Sequence, residues 1–133
     1  MLHAFLKISL LLFSLLITDV IGDSLSNVLP CSIKFEVKGD KAVCTGSGIV
    51  YDCPLKACWW QNHQYVHMTG CQLEKGPPGI SGQDCAQYEW IHPDPNVPYY
   101  FKCTNPAGYH YKCPFDGNIA KSMGCTATAC KTR

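Results

Sequence analysis

The stretch Cys58-x4-His63-x3-His67-x3-Cys71 sets four soft metal ligands within 14 residues. Zinc takes Cys and His ligands in a tetrahedron, and a closed site of that kind adds directly to folding stability. The spacing suits such a structural site, although it is not that of a standard finger. The same ligand types recur along the chain. Cys31, Cys44 and Cys53 join the first group, and Cys85, His92, Cys103, His110, Cys113, Cys125 and Cys130 make a second. Each half therefore holds five cysteines and two histidines. A different chemistry is open to the same ten cysteines, because an even number in an exported chain normally forms disulfides, here up to five. Five per half is odd, so the bridged alternative needs a link between halves or a thiol left over. On the residues alone both chemistries stay open.

Catalysis finds less support. A metalloprotease helix needs His-Glu-x-x-His, with the glutamate as general base, and here Gln64 follows His63. The cation clamp of a small ribonuclease has no candidate except Arg133, the final residue. No Gly-x-Ser-x-Gly occurs, and no close carboxylate pair suggests glycoside chemistry. The formal charge is +1 with lysines scattered, which gives no electrostatic reason to expect nucleic acid or anionic lipid. The expectation is a protein that is not an enzyme and has neither a nucleic-acid nor a membrane partner.

The ligand types are carried by a short unit that occurs twice. Cys44-Thr45 leading to Tyr51-Asp52-Cys53-Pro54 is matched by Cys103-Thr104 leading to Tyr111-Lys112-Cys113-Pro114, with a Gly-bearing turn between. A central turn folds the flanks into adjacent strands, so each copy is expected to be a hairpin with its two cysteines near one another. Phe35-Glu36-Val37 stands against Tyr88-Glu89-Trp90-Ile91 when one gap is allowed, and Gly70-Cys71 answers Gly124-Cys125. The fold class is small all-β and cysteine-rich: two similar β-hairpin-based modules in tandem, stapled by zinc or disulfides. Residues 1–22 have the Lys7 start, short Leu-rich run and modest-sized end of a signal peptide, and are too short and interrupted for a good spanning helix. Residues 23–30 form a polar arm, 31–71 the first module, 72–84 a Gly/Pro linker and 85–130 the second module. Three prolines in His92–Pro98 forbid helix and central strand there. Aliphatic residues are sparse after Pro54, so covalent or metal staples must supply part of the stability.

Aromatic residues are many for so small a chain: Trp59, Trp60, Trp90, Tyr99, Tyr100, Phe101, Tyr109 and Tyr111. In a cysteine-rich fold they serve as core. Where exposed, they offer a stacking face for sugars or a hot-spot surface for a protein partner.

An aromatic-x-Cys tripeptide stands three times, as Tyr51-Asp52-Cys53, Phe101-Lys102-Cys103 and Tyr111-Lys112-Cys113. With the duplicated unit, Cys58-Trp59 and the His-bearing loops, this resembles the cysteine-rich secreted effector, or avirulence, proteins of rust fungi. The type concerned is built of two similar β-rich domains that bind zinc, and the likeness covers residues 31 to 130. The resemblance implies a monomeric virulence protein that is secreted, enters the host plant cytoplasm, binds a host protein there and is recognised by an intracellular plant immune receptor. That cytosol is reducing, so structural zinc rather than disulfide would be the staple. A second likeness is to the invertebrate-type chitin-binding domain, carried by Tyr99-Tyr100-Phe101-Lys102-Cys103 and the later Cys113-Pro114. Here 17 residues separate Cys85 from Cys103, where that family keeps a short gap. This likeness implies a secreted, disulfide-rich carbohydrate-binding module with an exposed aromatic platform that includes Tyr99 or Trp90.

Overall fold

A computed structural model describes residues 27–74 and 80–133; the expected signal peptide lies outside them. The described chain is almost entirely short strands. The first half carries β1 (Val28–Pro30), β2 (Lys34–Lys38), β3 (Lys41–Gly46), β4 (Ile49–Pro54), β5 (Cys58–Trp59) and β6 (Val66–Leu73). The second carries β7 (Ile80–Cys85), β8 (Gln87–Ile91), β9 (Tyr100–Thr104), β10 (His110–Pro114), β11 (Gly124–Thr126) and β12 (Lys131–Thr132). Residues 72–73 and 80–84, read from the sequence as linker, are thus strand, and β6 pairs with β7.

Both repeated units form the expected hairpins. In β3–β4, Cys44 lies opposite Tyr51 and Ala42 opposite Cys53; in β9–β10, Cys103 lies opposite Tyr111 and Phe101 opposite Cys113. The β3–β4 loop is the two-residue Ser47-Gly48, whose φ values of 52° and 78° are both left-handed, the geometry that suits the twist of a tight hairpin. Strand alternation puts Phe35, Cys44, Tyr88, Phe101 and Cys103 on one face, where all are buried.

The two hairpins belong to one continuous sheet, ordered β12-β4-β3-β2-β8-β9-β10-β6-β7. Its centre is the antiparallel pair β2–β8, with Lys34 opposite Glu89 and Phe35 opposite Tyr88. From that centre outward the halves are related by a pseudo-two-fold axis. Lys131 opposite Asp52 matches Gln72 opposite Lys112 on the outer strands. The backbone bond from Ile33 N to Thr45 O matches that from Ala86 N to Thr104 O. Leu55 N to Asp40 O matches Phe115 N to Tyr99 O, and Arg133 N to Val50 O matches Glu74 N to His110 O. A second sheet, β1-β11-β5, packs against the first through β1 and β3 and does not follow the symmetry.

Four of the five disulfides obey the same axis. Cys31–Cys44 and Cys85–Cys103 lie within their own halves. Cys53–Cys130 and Cys71–Cys113 are exchanged, each joining a hairpin to an outer strand from the other half. Cys58–Cys125 joins the halves in register between β5 and β11 and lies outside the symmetry, since Cys58 N bonds to Leu55 O as Asn118 N bonds to Phe115 O. An odd number per half is thereby satisfied with no free thiol. The counterpart of Cys71 is therefore Cys130, not Cys125 as the Gly-Cys pairs suggest. The halves interlock and do not simply follow one another.

Cystine fills space that aliphatic side chains fill elsewhere. The Sγ of Cys31 lies 3.6 Å from that of Cys125, so neighbouring bridges touch, and nine of the ten cysteines are buried beside Phe35, Val66, Met68, Phe101 and Met123. The only fully buried polar side chain in the described residues repairs an irregularity. β6 bulges between Met68 and Cys71, where Gly70 has a φ of 72°. Asn118 Oδ1 accepts from Thr69 N at 3.0 Å, while its Nδ2 donates to Thr69 O at 3.0 Å and to Pro114 O at 2.8 Å. Asn118→Ala is expected to lower stability by about 2–4 kcal/mol, measured by urea unfolding, because buried backbone groups lose their partners. Asn118→Asp should be nearly as damaging, since a carboxylate has no donor for those two carbonyls.

Candidate functional site: an aromatic ledge in the second half

The halves match in hydrogen bonding and part company at one end of the sheet. Between β2 and β3 the chain turns through Gly39-Asp40, whereas between β8 and β9 it takes residues 92–99, with their three prolines. Around that longer connection the inward positions are aromatic. The rings of Trp90 and Phe115 stack at 5.1 Å with an interplanar angle of 15°. Phe101 lies behind Phe115 at 5.7 Å. Tyr99 stands edge-on to both Trp90 and Phe115 at 6.0 Å. His92 covers Trp90 at 3.8 Å and reaches Tyr99 at 4.8 Å.

The pseudo-symmetry supplies an internal control. Trp90 corresponds to Val37, Tyr99 to Asp40, Phe101 to Ala42 and Phe115 to Leu55. The first half folds with small or aliphatic residues at these places, so the backbone does not demand rings there. Phe101 is buried and Trp90 and Phe115 are half-buried, but Tyr99 is 48% exposed and His92 is also exposed. Trp90 Nε1 is buried and has no hydrogen-bond partner, which leaves one donor unsatisfied within the cluster. Val97, Pro98, Tyr99 and Pro114 continue the ledge into a shallow concavity beside Gly70. Such an arrangement offers exposed π faces, which suit stacking and apolar docking.

The ligand types singled out in the sequence lie elsewhere. Cys31, Cys44, Cys53, Cys58, Cys71, Cys85, Cys103, Cys113, Cys125 and Cys130 are all in bridges. The four histidines are exposed and apart from one another. His63 stacks on Tyr65 at 5.1 Å, His67 Nδ1 meets Asp84 Oδ1 at 2.8 Å, and His110 Nδ1 lies 3.2 Å from Thr104 Oγ1. The sequence quartet is not assembled, since Cys58 bonds Cys125 and Cys71 bonds Cys113. Among the described residues, the groups close enough to share an ion are sulfurs alone: Cys31, Cys44 and Cys125; Cys53, Cys58 and Cys125; Cys85, Cys103 and Cys113. A disulfide sulfur has no thiolate charge to donate, so metal ligation there requires prior reduction.

Phe115 is the ledge residue that sequence reading passes over. Its signal is positional: it follows Cys113-Pro114 as Leu55 follows Cys53-Pro54, with a ring where the first copy has an aliphatic chain. No family model, curated protein or solved structure matches this chain.

Proposed function

We propose that the chain is an exported effector-type protein, not an enzyme, that acts by binding a host protein on a scaffold held by disulfides. The observation that carries this reading is the bridge pattern, in which all ten cysteines pair and three bridges join the halves. Bridges persist in oxidising surroundings and are reduced in a cytosol, so the place of action is the space outside the cell. The binding surface is the ledge around Tyr99, where the halves differ and rings are exposed. The zinc-stapled form implied by the likeness to rust-fungal effectors belongs to a reduced chain. In that form Cys85, Cys103 and Cys113, whose sulfurs lie within 4.8 Å of one another, would be ligands together with Cys71, the bridge partner of Cys113. A carbohydrate reading is favoured by one feature, the exposed Tyr99 backed by stacked rings.

The deciding experiment is a free-thiol count and zinc content on Asp23–Arg133, prepared once under oxidising and once under reducing conditions. The expected result is folded protein with no free thiol and no zinc from the oxidising preparation, and no cooperative fold from the reducing one. Zinc bound in a reduced, cooperatively folding chain would move the site of action to the host cytosol. Tyr99→Ala is expected to abolish saturable binding to host extracellular protein without altering the fold. Retention on chitin that Tyr99→Ala removes would select the carbohydrate reading instead.

A further inference from the structure

Lysines that are scattered in the sequence are collected by strand alternation onto one face. On the outward side of the large sheet, Lys34 sits at the pseudo-symmetry axis, with its Nζ 3.0 Å from Glu36 and 4.0 Å from Glu89. The Glu36 carboxylate offsets the charge of Lys34, and its hydrogen bond raises the lysine pKa and so holds the ammonium protonated. Asp52 is likewise occupied, by Arg133 at 2.7 Å. Five exposed lysines remain on the same face without an ion-pair partner among the described residues. Lys38 and Lys41 lie directly opposite one another, with Lys131 two strands beyond Lys41. Lys102 and Lys112 form a second directly opposed pair on the other side of the axis.

Like charges placed opposite each other destabilise a sheet; Lys112 has the Tyr100 ring beneath it and Lys102 has Glu89 opposite it on β8, whereas Lys38 and Lys41 face one another across β2 and β3. The two lysines of each pair stand on adjacent strands, about 4.8 Å apart at the backbone, so one anionic group can reach both ammonium groups. From β12 to β10 the sheet order counts six steps, so the two lysine groups span roughly 29 Å. That is too wide for one small anion and suits an extended chain with repeated charges. The face presents ammonium groups, not free guanidinium, since Arg133 is held by Asp52. Its Tyr100 ring lies under Lys112 Nζ at 5.0 Å, and the exposed stacking rings of the ledge are on the opposite face. These features favour spaced carboxylates over a stacked nucleic-acid ligand.

We propose that the outward sheet face docks an acidic polysaccharide of the polyuronate kind, laid across the strands and held by the two lysine groups. This is a second site, independent of the ledge. The test is a binding titration of the oxidised mature chain with polygalacturonate at low ionic strength, beside an uncharged glucan and single-stranded DNA. Expected are binding to the polyuronate alone, weakening as salt is added, and an affinity loss of about tenfold for K102Q/K112Q and again for K38Q/K41Q. Tyr99→Ala and Lys121→Gln should leave it unchanged. All substituted positions are on the surface, and circular dichroism checks that each variant folds. The proposal is overturned by no binding at low salt, by equal binding to the DNA, or by a quadruple lysine variant that binds like the parent.

Discussion

Replacing Cys58 and Cys125 together by alanine is expected to lower the unfolding free energy by about 3 kcal/mol in a denaturant titration. Their sequence separation of 67 residues suggests a larger figure. Cys53–Cys130 already ties the chain a few residues away on both sides, however, so the loop closed last is short. In a chain-entropy account a loop of about 15 residues is worth about 3 kcal/mol. Removing Cys53–Cys130 as well opens the long loop, and the joint loss should reach about 6–7 kcal/mol. That is the whole stability of many small domains, so the four-alanine variant is expected to be unfolded at room temperature. A cooperative native fold in that variant, where Cys71–Cys113 still links the halves, would show that these two bridges are not what holds the halves together.

Tyr88→Phe should cost about 2–4 kcal/mol, although it removes one oxygen atom and makes the residue identical to its partner across the axis. Phe35 occupies the equivalent place without a hydroxyl, and the two rings stack at 6.1 Å. Tyr88 differs in donating to the carbonyl of Cys31 at 2.5 Å and accepting from the N–H of Met123 at 2.9 Å. It thereby fastens β8 to the segment that leaves β1 and to the one that enters β11. Phenylalanine would leave two backbone groups buried and unpartnered. Burial pushes the phenol pKa well above its ordinary value of 10.0, with the Met123 N–H pulling slightly the other way. A raised folded-state pKa means the contribution is intact below the unfolded value and declines as pH rises past it. Unfolding free energy should therefore fall above about pH 10 in the parent and fall less steeply in Tyr88→Phe.

The hairpins were legible because their information is local: a Gly-bearing turn and alternating flanks fix the register of Cys44 against Tyr51 without help from the rest of the chain. The equivalence of Phe35 and Tyr88 was legible for the same reason. Bridge partners were not, because spacing along the chain does not say which strand becomes a neighbour. Cys53 could meet Cys44 or Cys58 as far as sequence shows, and instead meets Cys130, brought alongside by β12. Leu73 and Ile80–Cys85 were masked by the surrounding Gly and Pro, whose turn signals outweigh a weak strand pattern. Of the ledge, Trp90 and Tyr99 drew attention by residue type, whereas the significance of Phe115 needs the symmetry to be seen. The histidines misled because Cys and His at short intervals resemble a ligand set even when each ring has its own separate neighbour.

The exchanged bridges also impose an order in time. A chain that enters an oxidising compartment from its first residue can close Cys31–Cys44 early, but Cys53 has no proper partner until Cys130 arrives 77 residues later. Cys58 and Cys71 wait in the same way, for Cys125 and Cys113. During synthesis the leading half therefore carries three unpaired thiols next to a finished bridge, well placed to attack it. Correct pairing has to be reached by reshuffling after the last residues emerge, a process of seconds to hours that depends on oxidant and isomerase. The yield of native protein should accordingly depend on the thiol–disulfide catalysts of the producing cell, and the leading half cannot finish until Cys130 has reached Cys53.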